Sequence, residues 1–171
     1  ECASSHACHH LQTTNNRRNR SKKNATAPAT ATERLGPALA SPDKALRIEA
    51  LTLCGLWQLN AHTPAILRIA INSKEVLAVR AAAAEALGAL SSPSLGKELA
   101  GLTAPGETPA LRHAALASLA RHDAARAAGR AAALLKEASP AGIGPLLAAL
   151  LQRSDGAKAL AGALAETKIP A

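Results

Sequence analysis

One string recurs along this chain at a nearly fixed interval, and that recurrence limits the fold more than any other feature. Leu46-Arg47-Ile48-Glu49-Ala50 aligns with Val79-Arg80-Ala81-Ala82-Ala83 at a spacing of 33. Leu111-Arg112-His113-Ala114-Ala115 follows 32 later, and Ile143-Gly144-Pro145-Leu146-Leu147 another 32 later. Gly55 and Gly88 occupy equivalent places in the first two copies. A period in this range marks stacked supersecondary units, each too thin to bury its apolar face without the next copy.

The apolar spacing inside each period is helical. Ile143, Leu146, Leu147, Leu150 and Leu151 stand at i, i+3, i+4, i+7 and i+8, and Ala157, Leu160, Ala161, Leu164 and Ala165 repeat that spacing. Ala127, Ala128, Ala131, Leu134, Leu135 and Ala138 form a third such stripe, and the helix from Leu46 to Leu59 is apolar around most of its circumference. The chain has no Phe, Tyr or Met, and Trp57 is its one aromatic residue. A core of Ala and Leu suits thin layers of closely approaching helices, and both residues are strong helix formers. Ser41-Pro42, Thr63-Pro64, Ser92-Pro93, Thr108-Pro109 and Ser139-Pro140 each put a hydroxyl before a proline. That pattern predicts a capping side chain followed by proline in the first helical turn.

Residues 1–34 have a different texture: six Lys/Arg and two acids leave +4 of the total +8, and Leu11 is the only large apolar residue. Such a segment buries too little surface to offset its ordering entropy. We therefore expect disorder over 1–40 and a helical repeat domain over 41–171. A chain without Met that begins Glu1-Cys2 reads as a piece of a longer protein. Cys2, Cys8 and Cys54 do not form a disulfide framework, and Cys54, within an apolar helical run, reads as a buried free thiol. No stretch is long and apolar enough for a membrane span.

The hydrophobic-Arg-x-x-Ala starts, clearest in Val79-Arg80-Ala81-Ala82-Ala83-Ala84-Glu85-Ala86-Leu87-Gly88-Ala89-Leu90, resemble bacterial HEAT repeats over residues 43–138. The resemblance implies an all-α, right-handed α-solenoid of about four helix pairs. Thr108-Pro109-Ala110-Leu111-Arg112-His113-Ala114-Ala115 is similar to the ankyrin motif but occurs once, and tetratricopeptide repeats need aromatics that this chain lacks. A narrower similarity rests on Leu46 to Leu51 with Gly55-Leu56-Trp57, and on Gly156 to Ala161 running to Lys168-Ile169-Pro170-Ala171. These strings resemble the HEAT segment of secreted planctomycete and verrucomicrobial proteins, where it joins a membrane-bound dehydrogenase domain to a cytochrome c domain. That similarity implies a periplasmic or secreted spacer, with redox chemistry in neighbouring domains. The family's Cys-x-x-Cys-His haem motif has no match, since Ser5-His6-Ala7-Cys8-His9 puts serine at the first cysteine.

The candidate sites are modest. Cys2, His6, Cys8, His9 and His10 offer soft ligands in one cluster, whereas zinc sites draw on separated pairs tied by local structure; we assign no metal and no cofactor. Arg17 to Lys23 carries five cations in seven residues, a phosphate-binding composition without aromatics for base stacking. Asn19-Arg20-Ser21 and Asn24-Ala25-Thr26 match glycosylation sequons. On the second helices, Arg68, Lys97, Arg126, Arg130 and Lys158 stand against Glu98, Glu137 and Glu166, and Arg126 and Arg130 share one helical face. Arg68, Lys97, Arg126 and Arg130 are the residues expected to face an acidic partner. Trp57 reads as core, and His113 and His122 as surface or capping residues. The His-Glu dipeptides of HEAT-like di-iron hydroxylases are missing, as are the aromatics of HEAT-like DNA glycosylases.

The expectation is a non-catalytic scaffold whose partner is another protein or an adjacent domain of the same parent chain. A redox-enzyme spacer and a weak nucleic-acid-binding repeat protein are the alternatives.

Overall fold

The computed structural model describes residues 27–28, 30–92, 94–135, 144, 147–148, 150–152 and 155–166. Among them the chain forms α1 (Ala31–Leu39), α2 (Lys44–Leu56), a 3-10 turn (Asn60–His62), α3 (Thr63–Ile71), α4 (Leu77–Ala89), α5 (Leu95–Gly101), α6 (Pro109–His122), α7 (Ala124–Leu135) and α8 (Gly156–Glu166). Residues 144, 147–148 and 150–151 are also helical, and no described residue lies in a strand. The fold is all-α.

The helices are laid out in layers. α2, α4 and α6, the helices that open with the repeated string, stack one on the next. α1 packs on α2, α3 on α4 and α5 on α6, so each shorter helix leans on the long helix that follows it; α7 packs on both α6 and α8. One continuous core of Leu and Ala runs through these layers, with Leu51, Ile66, Leu87, Leu99, Leu116 and Leu119 wholly enclosed. The close approach of α2, α4 and α6 depends on the two glycines in register. A Cβ on Gly55 would lie 3.2 Å from the Ala86 Cα, and one on Gly88 would lie 2.6 Å from the Ser118 Cβ. No larger side chain fits at Gly88 unless the helices part.

α1 corrects the expected boundary at residue 40. Ala31, Leu35 and Leu39 form an i, i+4, i+8 stripe, and all three are buried. Docking this stripe on α2 supplies the apolar burial that offsets the ordering of the segment. Pro37 falls in the last turn of α1, two residues before its end. The expectation of disorder for residues 1–26 lies outside the described residues.

The helix starts differ from the expected pattern in detail. Pro64 and Pro109 do stand in the first turns of α3 and α6. The hydroxyls, however, do not cap. α2 is capped by Asp43, whose Oδ1 accepts from the Ala45 amide, while Ser41 Oγ accepts from the Asp43 amide. Thr63 lies inside α3 and donates its hydroxyl to the Asn60 carbonyl. Thr108 is the N-cap of α6 but makes no side-chain capping bond. Ser92 contacts Ser94 Oγ, and Ser139-Pro140 lies outside the described residues. Asp43 wins because its ionised carboxylate is a stronger acceptor at the positive end of the helix.

α2 ends in a Schellman motif. The Leu59 amide donates to the Cys54 carbonyl at 2.9 Å and the Gln58 amide to the Gly55 carbonyl at 3.3 Å. Gln58 therefore adopts a φ of 50°, where glycine is the usual residue. Cys54 is a buried free thiol, as the sequence suggested.

Candidate functional site

The arginine of the repeated string has a role that its position alone did not reveal. Arg47 Nε donates to the Leu39 carbonyl at the end of α1, Arg80 Nε to the Ala70 carbonyl near the end of α3, and Arg112 Nε to the Thr103 carbonyl just after α5. Each guanidinium thus satisfies a carbonyl left over at a helix C-terminus and favours the negative end of its dipole. The first two also reach forward: Arg47 pairs with Glu75 at 2.6 Å, and Arg80 forms a two-pronged bond with Glu107 at 2.7 and 3.0 Å. Glu75 and Glu107 lie in the loops before α4 and α6, so each of these two arginines joins the helix before its own to the loop that leads into the next long helix. The hydrogen bond from Arg47, helped by the Val76 amide and the Arg47 charge, holds the Glu75 carboxyl below its ordinary range against the opposing effect of burial. A signal for this ladder was present in the sequence, because Glu75 and Glu107 are 32 apart, within one residue of the 33 that separate their partners Arg47 and Arg80.

With the layers pinned in this way, a cleft of about 660 Å³ opens where α5, α7 and α8 begin. Its walls include Ser94, Lys97 and Glu98 from α5 and the residues before it, His122 from the end of α6, Asp123 to Arg126 at the start of α7, and Asp155 before α8. Asp123 is fixed at both ends. Its amide donates to the Leu119 carbonyl, its Oδ1 caps α7 by accepting from the Arg126 amide, and its Oδ2 pairs with Arg126 Nε at 3.3 Å. His122 Nε2 lies 3.0 Å from the Leu87 carbonyl, an acceptor, so that nitrogen carries the proton and caps the last turn of α4. Glu98 Oε2 is buried without a hydrogen-bond partner in the structure.

Of the four residues expected to face a partner, the structure brings two together. Lys97 and Arg126 both line the cleft, while Arg68 on α3 and Arg130 on α7 do not. All four are exposed, as is Lys158 on α8. Of the cleft's carboxylates, the sequence pattern points to Glu98 but not to Asp123 or Asp155; all three stand beside the two cations, so its charge is mixed. Trp57 packs half-buried against the core, and His113 is half-buried on α6. Cys2, His6, Cys8, His9, His10 and the Arg17–Lys23 run lie outside the described residues. Among the described residues, no three His, Cys, Asp or Glu side chains converge to hold a metal ion, and no helix is long and apolar enough to cross a membrane.

Compared with known families, the chain matches the one described as HEAT repeats, over residues 32–120. The match begins within α1, the helix that the sequence reading left out. No curated protein and no solved structure matches the chain, so the narrower likeness to dehydrogenase–cytochrome proteins has no counterpart in these comparisons.

Proposed function

The chain belongs to the HEAT repeat family, and from that premise we propose that it is a non-catalytic scaffold that presents a fixed surface to another protein or to neighbouring domains of a longer chain. HEAT repeats generally build interaction surfaces, and what favours that use here is the arginine ladder. By tying α1 to α2, α3 to α4, and the loops ahead of α4 and α6 to the preceding long helices, it favours a stack that keeps its form without a ligand. A preorganised surface loses little entropy on binding. In this proposal the repeats wind as a right-handed solenoid of about four pairs. Lys97 and Arg126 contact acidic side chains of the partner, and Glu98 and Asp155 select against an all-acidic one.

The test is site-specific photo-crosslinking. A photoreactive residue at Ala125 should label one recurring partner in the source organism, and the pair Lys97→Glu and Arg126→Glu should abolish that labelling without changing the thermal melt. Equal labelling from Glu85, exposed on α4 away from the cleft, would count against the proposal.

A further inference from the structure

The three stacked long helices are equivalent, yet one of them is left open. Ala86 on α4 and Ser118 on α6 meet the preceding long helix at its glycine, and they and Val79 and Leu111, seven residues earlier on the same helical faces, are exposed by only 4%, 2%, 0% and 0%. Their equivalents on α2 are Leu46, 48% exposed, and Leu53, only partly buried. The same contrast holds at the helix end, where Leu90 is 1% exposed and its equivalent Trp57 is half-buried. α1 does not fill this gap. Arg47 donates to the Leu39 carbonyl as Arg80 does to that of Ala70, so α1 stands where α3 stands relative to α4. A layer ahead of α2 is therefore half present: its shorter helix is in place, and the long one is missing among the described residues.

We infer that this open side of α2 is a docking face for one further amphipathic helix, supplied by a partner protein. The chain's own closed interfaces define the chemistry of that helix. α2 covers α4 with Gly55 over Ala86, and α4 covers α6 with Gly88 over Ser118. The covering helix thus carries glycine or alanine where it crosses, and all the more so over Leu53, which is larger than Ala86 or Ser118. Glu49, exposed between Leu46 and Leu53, takes the place of Ala82 and Ala114 and calls for Lys or Arg on the arriving helix. Residues 1–26 contain a single large apolar residue, Leu11, too few for the apolar stripe of such a helix. The site is remote from the cleft, and the inference does not depend on the reading of the cleft.

Trp57, the one tryptophan, reports on this face directly. The probe is a stapled peptide with the sequence Leu77–Ala89, the helix that covers α6, carrying Ala84→Lys, four residues before Gly88 as Glu49 is four before Leu53. Titrated into the full chain, it should shift Trp57 emission to shorter wavelength in a saturable way. Leu46→Lys, at an exposed position, should weaken binding at least tenfold, and Glu49→Lys severalfold, both with unchanged circular dichroism. Absence of a saturable shift would overturn the inference. So would sedimentation of the free chain as a dimer that Leu46→Lys dissociates, because a second copy would then be the occupant.

Discussion

Arg80 and Glu107 are 27 residues apart in sequence and meet through two hydrogen bonds, Nη2 to Oε1 at 2.7 Å and Nη1 to Oε2 at 3.0 Å. The arginine is 5% exposed, and its third donor, Nε, is held by the Ala70 carbonyl. All three bonds need the planar fork that lysine lacks.

Arg80→Lys should therefore cost about 1.5–3 kcal/mol, since it strands a helix-terminal carbonyl and one carboxylate oxygen. Arg126→Lys, which alters a pair with Asp123 that is about half exposed, should stay within about 0.5 kcal/mol of the parent. Urea denaturation midpoints of the two variants provide the comparison.

The glycines allow a paired test. Gly88→Ala should destabilise by about 1–3 kcal/mol, because the added Cβ meets the Ser118 backbone and overpacking outweighs the gain in helix propensity. Gly129→Ala on α7 adds a Cβ with no atom within 4 Å and should stabilise by about 0.5–1 kcal/mol. Thermal melts of opposite sign are expected.

Gln58 holds a left-handed conformation at the end of α2. Gln58→Gly relieves that strain and should raise stability by about 0.5–1 kcal/mol, with the same Schellman bonds retained. Melting temperature is a sufficient readout.

Glu75 sets part of the acid limb of stability. Its folded pKa lies below that of the unfolded carboxyl, near about 4.3. The contribution is present in full above that value and is lost as pH falls through the folded pKa. Glu75→Gln should be less stable at neutral pH and show a flatter loss of stability below about pH 5, measured by urea titration at stepped pH.

Burial pushes the Cys54 thiol up to about 11. In a Cys2→Ser, Cys8→Ser background, a maleimide at pH 8 should leave the native chain unlabelled and modify it promptly in urea.

Much of this fold can be read from the residues, for physical reasons that also explain the gaps. The period, the long-helix starts and the two glycines are visible because close stacking demands a small residue at the same place in successive layers: Gly55, Gly88, Ala120. α1 was hidden because a short stripe of Ala31, Leu35 and Leu39, interrupted by Pro37, is a weak signal until α2 covers it. The caps were misassigned because Asp43, one residue beyond the Ser-Pro pair, competes for the same amides. The arginine was noted as part of a motif, but its bonds run to loop residues about 30 positions away, which helical spacing cannot supply. The cleft's mixed charge depends on Asp123 and Asp155, helix-start residues whose convergence arises only from the stacking of α5, α7 and α8.

The central claim is that arginine pins couple successive layers, and a double-mutant cycle on Arg80→Met and Glu107→Gln tests it most directly. A coupling of about 1–3 kcal/mol between the two changes is expected in chemical denaturation. Additivity within about 0.3 kcal/mol would contradict it.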